Sequence, residues 1–167
     1  MPDIPRLYSA IAEWMACMIV ILPFPKRFSK VKTGIIMAVM LVAQSGFMVV
    51  TENVSLFFWL PCMIGAVVLM LFFIYVSCSI RLTDAVYGVL IAFVAAEFMA
   101  SIEWQIACYF GIVQSGVWWK EWTVLIVGYG LISVILFKLL HVHLPESGQM
   151  EIGWKECLSA FLIAISV

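Results

Sequence analysis

Long unbroken apolar stretches alternate along the chain with short polar connections. Five stretches, over 7–24, 34–50, 54–78, 85–112 and 122–140, have the length of a membrane span, which takes about 20 apolar residues within a range of roughly 17–25. A sixth begins at Cys157 and is still apolar at Val167. Pro23 and Pro25 stop the first stretch, because proline lacks a helix donor and clashes with the preceding turn. Pro61 predicts a kink near the start of the third. Thr83 and Asp84 are placed to cap the fourth, and Pro145 closes the fifth. The runs lack the two-residue alternation of barrel strands. In hydrocarbon, helices and closed barrels are the backbones that satisfy all their own polar groups. The expected fold is therefore all-α. It is a polytopic transmembrane helix bundle of five full spans and a truncated sixth, in one domain over 1–167. From 157 to 167, a helix rising about 1.5 Å per residue crosses only about half of a ~30 Å core. The chain is accordingly expected to be part of a longer protein.

Composition agrees with the pattern. Of 167 residues, 65% are hydrophobic and 11% charged, and the mean hydropathy is +1.14. Soluble domains hold about 45–50% apolar and about 25% charged residues, so this chain needs a lipid bilayer as its solvent. No basic stripe or motif points to nucleic acid. The formal charge of −1 conceals an asymmetry. Lys26, Arg27, Lys30, Lys32, Arg81, Lys138 and Lys155 fall on one side of the expected spans, and only Arg6 and Lys120 on the other. Lys and Arg in short loops stay in the cytoplasm, which predicts an N-terminus outside the cell and the 25–33 loop inside. The first stretch is not a secretory signal. Its stronger basic cluster follows it and no small-residue cleavage site is present.

The fourth stretch carries most of the candidate chemistry. Gly88, Ala92, Ala96 and Ala100 recur every four residues. Such a ridge admits another helix at close range, either in ordinary bundle packing or as a dimer or sliding face. Glu97 lies roughly 18 Å along the run at ~1.5 Å per residue, near the membrane midplane. Ionisable groups there are expensive and face the bundle interior or a watery cavity. Glu13 and Glu103 fall in the outer half, and Gln44 and Gln105 add polarity. Glu97 has no Lys or Arg at its own depth, so it either hydrogen-bonds a neighbouring helix or contacts a ligand, proton or cation in an outward pocket. Trp59, Trp104, Trp118, Trp119 and Trp122 gather toward the outer side. They form either an interfacial aromatic belt or a mouth that admits an apolar ligand. The candidate ligand-binding residues are Glu13, Glu97, Glu103 and Trp104.

Other residues carry less. The five cysteines have no metal-ligand spacing and read as small apolar helix residues. His141 and His143 lack the further ligands of a metal site, so no metal and no cofactor is expected. There is no P-loop, GxSxG, HExxH or dinucleotide fingerprint, hence no catalytic residue.

Three stretches, EWMACMIVILPFPKRFSKVKTGI (13–35), TENVSLFFWLPCMIGAVVLM (51–70) and AEFMASIEWQ (96–105), together resemble the N-terminal membrane sensor region of bacterial GHKL-type sensor histidine kinases. Within that family they look most like the peptide-pheromone receptor kinases of the accessory-gene-regulator type. The resemblance covers most of the chain as a pattern of membrane segments. It implies a multi-span sensor in the cell membrane, generally dimeric, followed by a dimerising helix pair and a cytoplasmic ATP-binding domain. The family's phosphoacceptor histidine lies after the last span, and neither His141 nor His143 matches it. The expectation is a signal-sensing region of a two-component system, relaying an extracellular small-molecule or peptide signal to a kinase domain outside this chain. The alternative is a small membrane transporter or the substrate-capture subunit of one.

Overall fold

The computed structural model describes residues 4–52, 54–112, 117–143 and 158–159. Five helices follow in order: α1 (Arg6–Ile21), α2 (Lys30–Val50), α3 (Leu56–Ser77), α4 (Leu82–Tyr109) and α5 (Trp118–His143). No strand forms among the described residues. Four of the helices, α2 to α5, are long and apolar enough to cross a membrane. The chain is a helical membrane bundle. The sixth apolar run, 157–167, lies outside the described residues apart from Leu158 and Ser159.

Several helix ends differ from the sequence expectation, each for a local reason. α2 begins at Lys30 rather than at 34, because Ser29 turns the chain into the helix ahead of the apolar run. α4 begins at Leu82, with Arg81 at the N-cap. Thr83 and Asp84 are therefore not caps. They lie inside the first turn, where the Asp84 carboxylate faces the positive end of the helix dipole. α4 also stops three residues short of 112. Gly111 adopts φ +65°, and the Gly111 and Ile112 N–H groups bond back to the carbonyls of Cys108 and Ala107 at 3.0 Å each. That pair of bonds is the Schellman ending, which needs a left-handed residue at the position Gly111 fills. α3 runs through Pro61, where the Phe57 carbonyl loses its intrahelical donor.

Consecutive helices α2, α3, α4 and α5 pack side by side, and α1 packs against all four. The shortest helix is thus the axis of the bundle. At 16 residues it is roughly 24 Å long, yet nine of its residues are buried: Tyr8, Ala10, Ala12, Glu13, Ala16, Cys17, Ile19, Val20 and Ile21. Its most extensive partner is α4. The small residues Ala12 and Ala16 of α1 and Gly88, Ala92, Ala96 and Ala100 of α4 are all buried. A Cβ added at Gly88 would come within 3.1 Å of Val20 Cγ1. The ridge of α4 is therefore spent on packing inside the monomer. A second close approach joins α2 to α3, where a Cβ at Gly65 would meet Phe47 Cζ at 2.9 Å. The large aliphatic side chains Val39, Val42, Ile64, Val68, Ile126, Leu131 and Ile135 point outward, as lipid-facing positions do.

A short strap ties the two loops at the basic end of the bundle. Ser79 N donates to Pro25 O at 2.9 Å and Arg27 N to Ser77 O at 3.0 Å, around an antiparallel bridge between Lys26 and Cys78. The Arg27 guanidinium lies 5.3 Å from the Tyr75 ring centroid, within cation–π range.

Candidate functional site

The polar side chains of the bundle collect on α1 and whatever faces it, at two depths. At the deeper one, Gln44 Nε2 of α2 donates a short hydrogen bond to Glu13 Oε2 of α1. Glu13 and Gln44 are each 1% exposed. Glu13 Oε1 and Gln44 Oε1 have no hydrogen-bond partner among the described residues. Glu97 of α4, half-buried, is close enough to act electrostatically on Glu13. Arg6 acts on both carboxyls. Glu97 thus does have a basic residue in range, supplied by the first turn of α1. Arg6 precedes Glu13 by two helical turns, about 10 Å at ~1.5 Å per residue, and its long stem can span much of that interval. Trp14 Nε1 donates to Met37 O at 2.9 Å, a second polar tie between α1 and α2.

The shallower level lies at the end that carries the N-terminus. Tyr8 of α1 sits between two tryptophans. Its ring centroid is 6.2 Å from Trp104 of α4 at an interplanar angle of 71°, and 6.2 Å from Trp122 of α5 at 62°. Tyr129 Oη of α5 donates to the Tyr8 carbonyl at 3.0 Å. Glu103 of α4 is 1% exposed, and its Oε2 has no hydrogen-bond partner among the described residues. It lies near both tyrosines, since its charge acts on each. The charged group that acts on Glu103 itself is a second carboxylate, Glu121 of α5. A glycine makes the approach possible: a Cβ at Gly128 would stand 3.4 Å from Glu103 Cγ.

The four candidate ligand residues therefore divide into two groups. Glu13 and Glu97 lie within electrostatic range of one another at the deeper level, and Glu103 and Trp104 lie at the shallower one. Gln105 turns away and bonds Ser101 Oγ on its own helix at 3.1 Å. Trp118 and Trp119 are exposed, and Lys120 Nζ lies 5.7 Å from the Trp119 ring centroid. The side chains of Trp59, His141 and His143 lie outside the described residues. Tyr8, Gln44, Glu121 and Tyr129 join the site without having been singled out as ligand residues. A lone amide within an apolar helix was the available signal for Gln44. For the tyrosines there was none, because a tyrosine near a span end reads as an interfacial residue.

Among the described residues no three His, Cys, Asp or Glu side chains gather to hold a metal. At the opposite, basic end, burial pushes the Cys78 thiol up to about 11 against the pull of Lys26 and Arg27. Cys78 is thus a packing residue and not a nucleophile. What the arrangement can do chemically is attract positive charge. The Glu103 and Glu121 carboxylates act on one another and on Tyr8, whose ring packs against Trp104 and Trp122. No family model, curated protein or solved structure matches the chain.

Proposed function

We propose that this chain is the membrane-embedded input region of a bacterial two-component sensor histidine kinase of the GHKL type. It sits in the cell membrane with five spans and the start of a sixth, its N-terminus outside, and it works as a dimer. An extracellular small molecule or peptide binds at the N-terminal end of the bundle. Occupancy shifts the packing of α1 on α4, and the shift passes through the basic end to a kinase domain that follows this chain. A ligand moves such an equilibrium only by its differential affinity for the two packings.

The observation that carries this proposal is the buried acidic and aromatic cluster shared by α1, α4 and α5, at the end remote from the basic loops. Groups so costly to bury in a membrane mark functional sites by default. The cluster is joined to the basic end by the close-packed α1–α4 seam. The resemblance of 13–35, 51–70 and 96–105 to the sensor family supplies the downstream partner.

The test is the reading frame past Val167 and the protein it encodes. The frame is expected to run on into a helix pair and an ATP-binding domain, and the full-length protein to phosphorylate itself from ATP. A frame that closes directly after a sixth span overturns the proposal and favours a small transporter. One observation favours that second reading: Glu97 stands within electrostatic range of the buried Glu13 in mid-bundle, where a coupling ion or proton would bind.

A further inference from the structure

The cluster at the N-terminal end is specific enough in its chemistry to name a ligand class. Glu103 is buried to 1% exposure and its Oε2 accepts no hydrogen bond among the described residues. An ionised carboxylate in that position lacks the compensation that buried charges require. Glu121 is close enough to act on it electrostatically, and it repels it. Both carboxylates act on the Tyr8 hydroxyl, so both stand at the same aromatic group. The Tyr8 ring is flanked by Trp104 and Trp122 at steep angles. Steep rings let one cation touch more than one π face, and such cages with acidic neighbours recognise ammonium groups. Glu103 and Tyr8 are buried, while Trp122 is 39% exposed and Glu121 half-buried, so the cluster reaches from the bundle interior to its surface.

We infer that the α1–α4–α5 end of the bundle is a recognition site for an organic ammonium group, a protonated amine or a quaternary ammonium. Glu103 and Glu121 supply the countercharge, and Tyr8, Trp104 and Trp122 supply the π faces. This deepens the proposed input function and rests on it only for the claim that the bound ammonium is a signal. Binding itself requires neither a kinase domain nor a particular orientation. A strongly hydrated inorganic cation would gain little from the rings, whereas a weakly hydrated ammonium gains from both rings and carboxylates.

The test is a tryptophan-fluorescence titration of the purified chain in nanodiscs of phosphatidylglycerol, which carry no ammonium. The probes are choline and its neutral analogue in which carbon replaces the quaternary nitrogen. Choline is expected to give a saturable change and the neutral analogue none. Glu103→Gln is expected to weaken choline binding by about tenfold and Trp122→Leu by a similar factor, in line with one desolvated charge or cation–π contact. Trp122→Phe is expected to retain most of the binding. Glu121→Gln, nearer the surface, gives a second charge test should Glu103→Gln fail to fold. No saturable response to choline, an equal response to the neutral analogue, or unchanged affinity in both carboxylate variants overturns the inference. The same titration in phosphatidylcholine distinguishes two sources of the group. Loss of the choline response there assigns the site to a lipid headgroup, and persistence assigns it to a free ligand; either supports the ammonium site. A failed titration leaves the kinase proposal standing, and a closed reading frame leaves the ammonium site standing.

Discussion

α4 and α5 are equally apolar, each with a mean hydropathy of 2.0 over its spanning segment, yet 44% of the α4 segment is buried in the bundle and 11% of the α5 segment. Hydropathy therefore says that both helices belong in lipid and nothing about which belongs at the centre. Side-chain size decides that. Lipid tails are as apolar as leucine, so no hydrophobic force draws leucine inward. Helices associate where small residues let backbones approach and where polar groups find partners. α4 offers Gly88, Ala92, Ala95, Ala96, Ala100 and Ala107, all buried. α5 offers Ile126, Leu131, Val134 and Ile135, all facing out. α1 follows the same rule to its limit: it is short, carries a carboxylate at its middle, and is the most enclosed helix of the five.

The sharpest way to break this contrast is to make α4 resemble α5. Ala92→Leu combined with Ala96→Leu puts two isobutyl groups into the seam with α1, where both alanines are essentially unexposed. Overpacking a tight core costs about 1–3 kcal/mol per site, occasionally more, so the pair is expected to lose about 3 kcal/mol or more. Thermal unfolding in detergent, with size-exclusion chromatography to check monodispersity, measures it. A double variant as stable as the parent would show that α4 does not pack on α1.

The next largest effect tests the polar half of the rule. Gln44→Leu removes the hydrogen bond that Glu13 Oε2 accepts from a carboxyl that is 1% exposed, at a cost of about 1–3 kcal/mol. Replacing both partners, Glu13→Leu with Gln44→Leu, is expected to recover most of that loss, because two apolar groups leave nothing unsatisfied. A double-mutant cycle reads the coupling directly. Additive losses would mean that the two side chains do not interact.

These contrasts also show which parts of the molecule were legible in the sequence. The helices were, because continuous apolar runs in lipid leave the backbone one regular solution; the run at 85–112 appears as α4 over Leu82–Tyr109. Its ends were less so. The Gly111 turn that stops it three residues early depends on a left-handed backbone angle, which many glycines never adopt. The small-residue ridge could be seen, but not its partner, since a four-residue spacing fits a neighbour in the same chain as well as one in another. The candidate carboxylates were visible as charges in apolar runs. That Glu97 stands within electrostatic range of Glu13, and Glu121 within range of Glu103, was not, because it follows from the depth at which α1, α4 and α5 cross. Depth is set by loop geometry and by glycines such as Gly128, and no pattern within one helix encodes it.

A smaller effect follows at the shallower level. Tyr129→Phe removes the 3.0 Å hydrogen bond to the Tyr8 carbonyl and nothing of the ring. The net worth of such a bond is about 0.5–1.5 kcal/mol, and the same melting measurement resolves it. Because Tyr129 is the tie from α5 to the axis helix, its loss is also expected to loosen Trp122 against Tyr8, which a red shift in tryptophan emission reports. A melting temperature and emission both equal to the parent's would remove Tyr129 from the contact.

The smallest expected effect closes the contrast from the α5 side. Ile135, 57% exposed, faces lipid, so Ile135→Val or Ile135→Ala exchanges contacts with acyl chains for contacts with other acyl chains. The transfer that makes such a truncation costly in a water-soluble core is absent, because both ends of the transfer are hydrocarbon. The change in stability should stay within about 0.5 kcal/mol, although the side chain is as large and apolar as many core residues. A loss of core size, approaching the roughly 2–5 kcal/mol of an aliphatic residue cut to alanine in a packed interior, would mean that another helix covers this face. α5 would then be central, and the rule that sets it apart from α4 would fail.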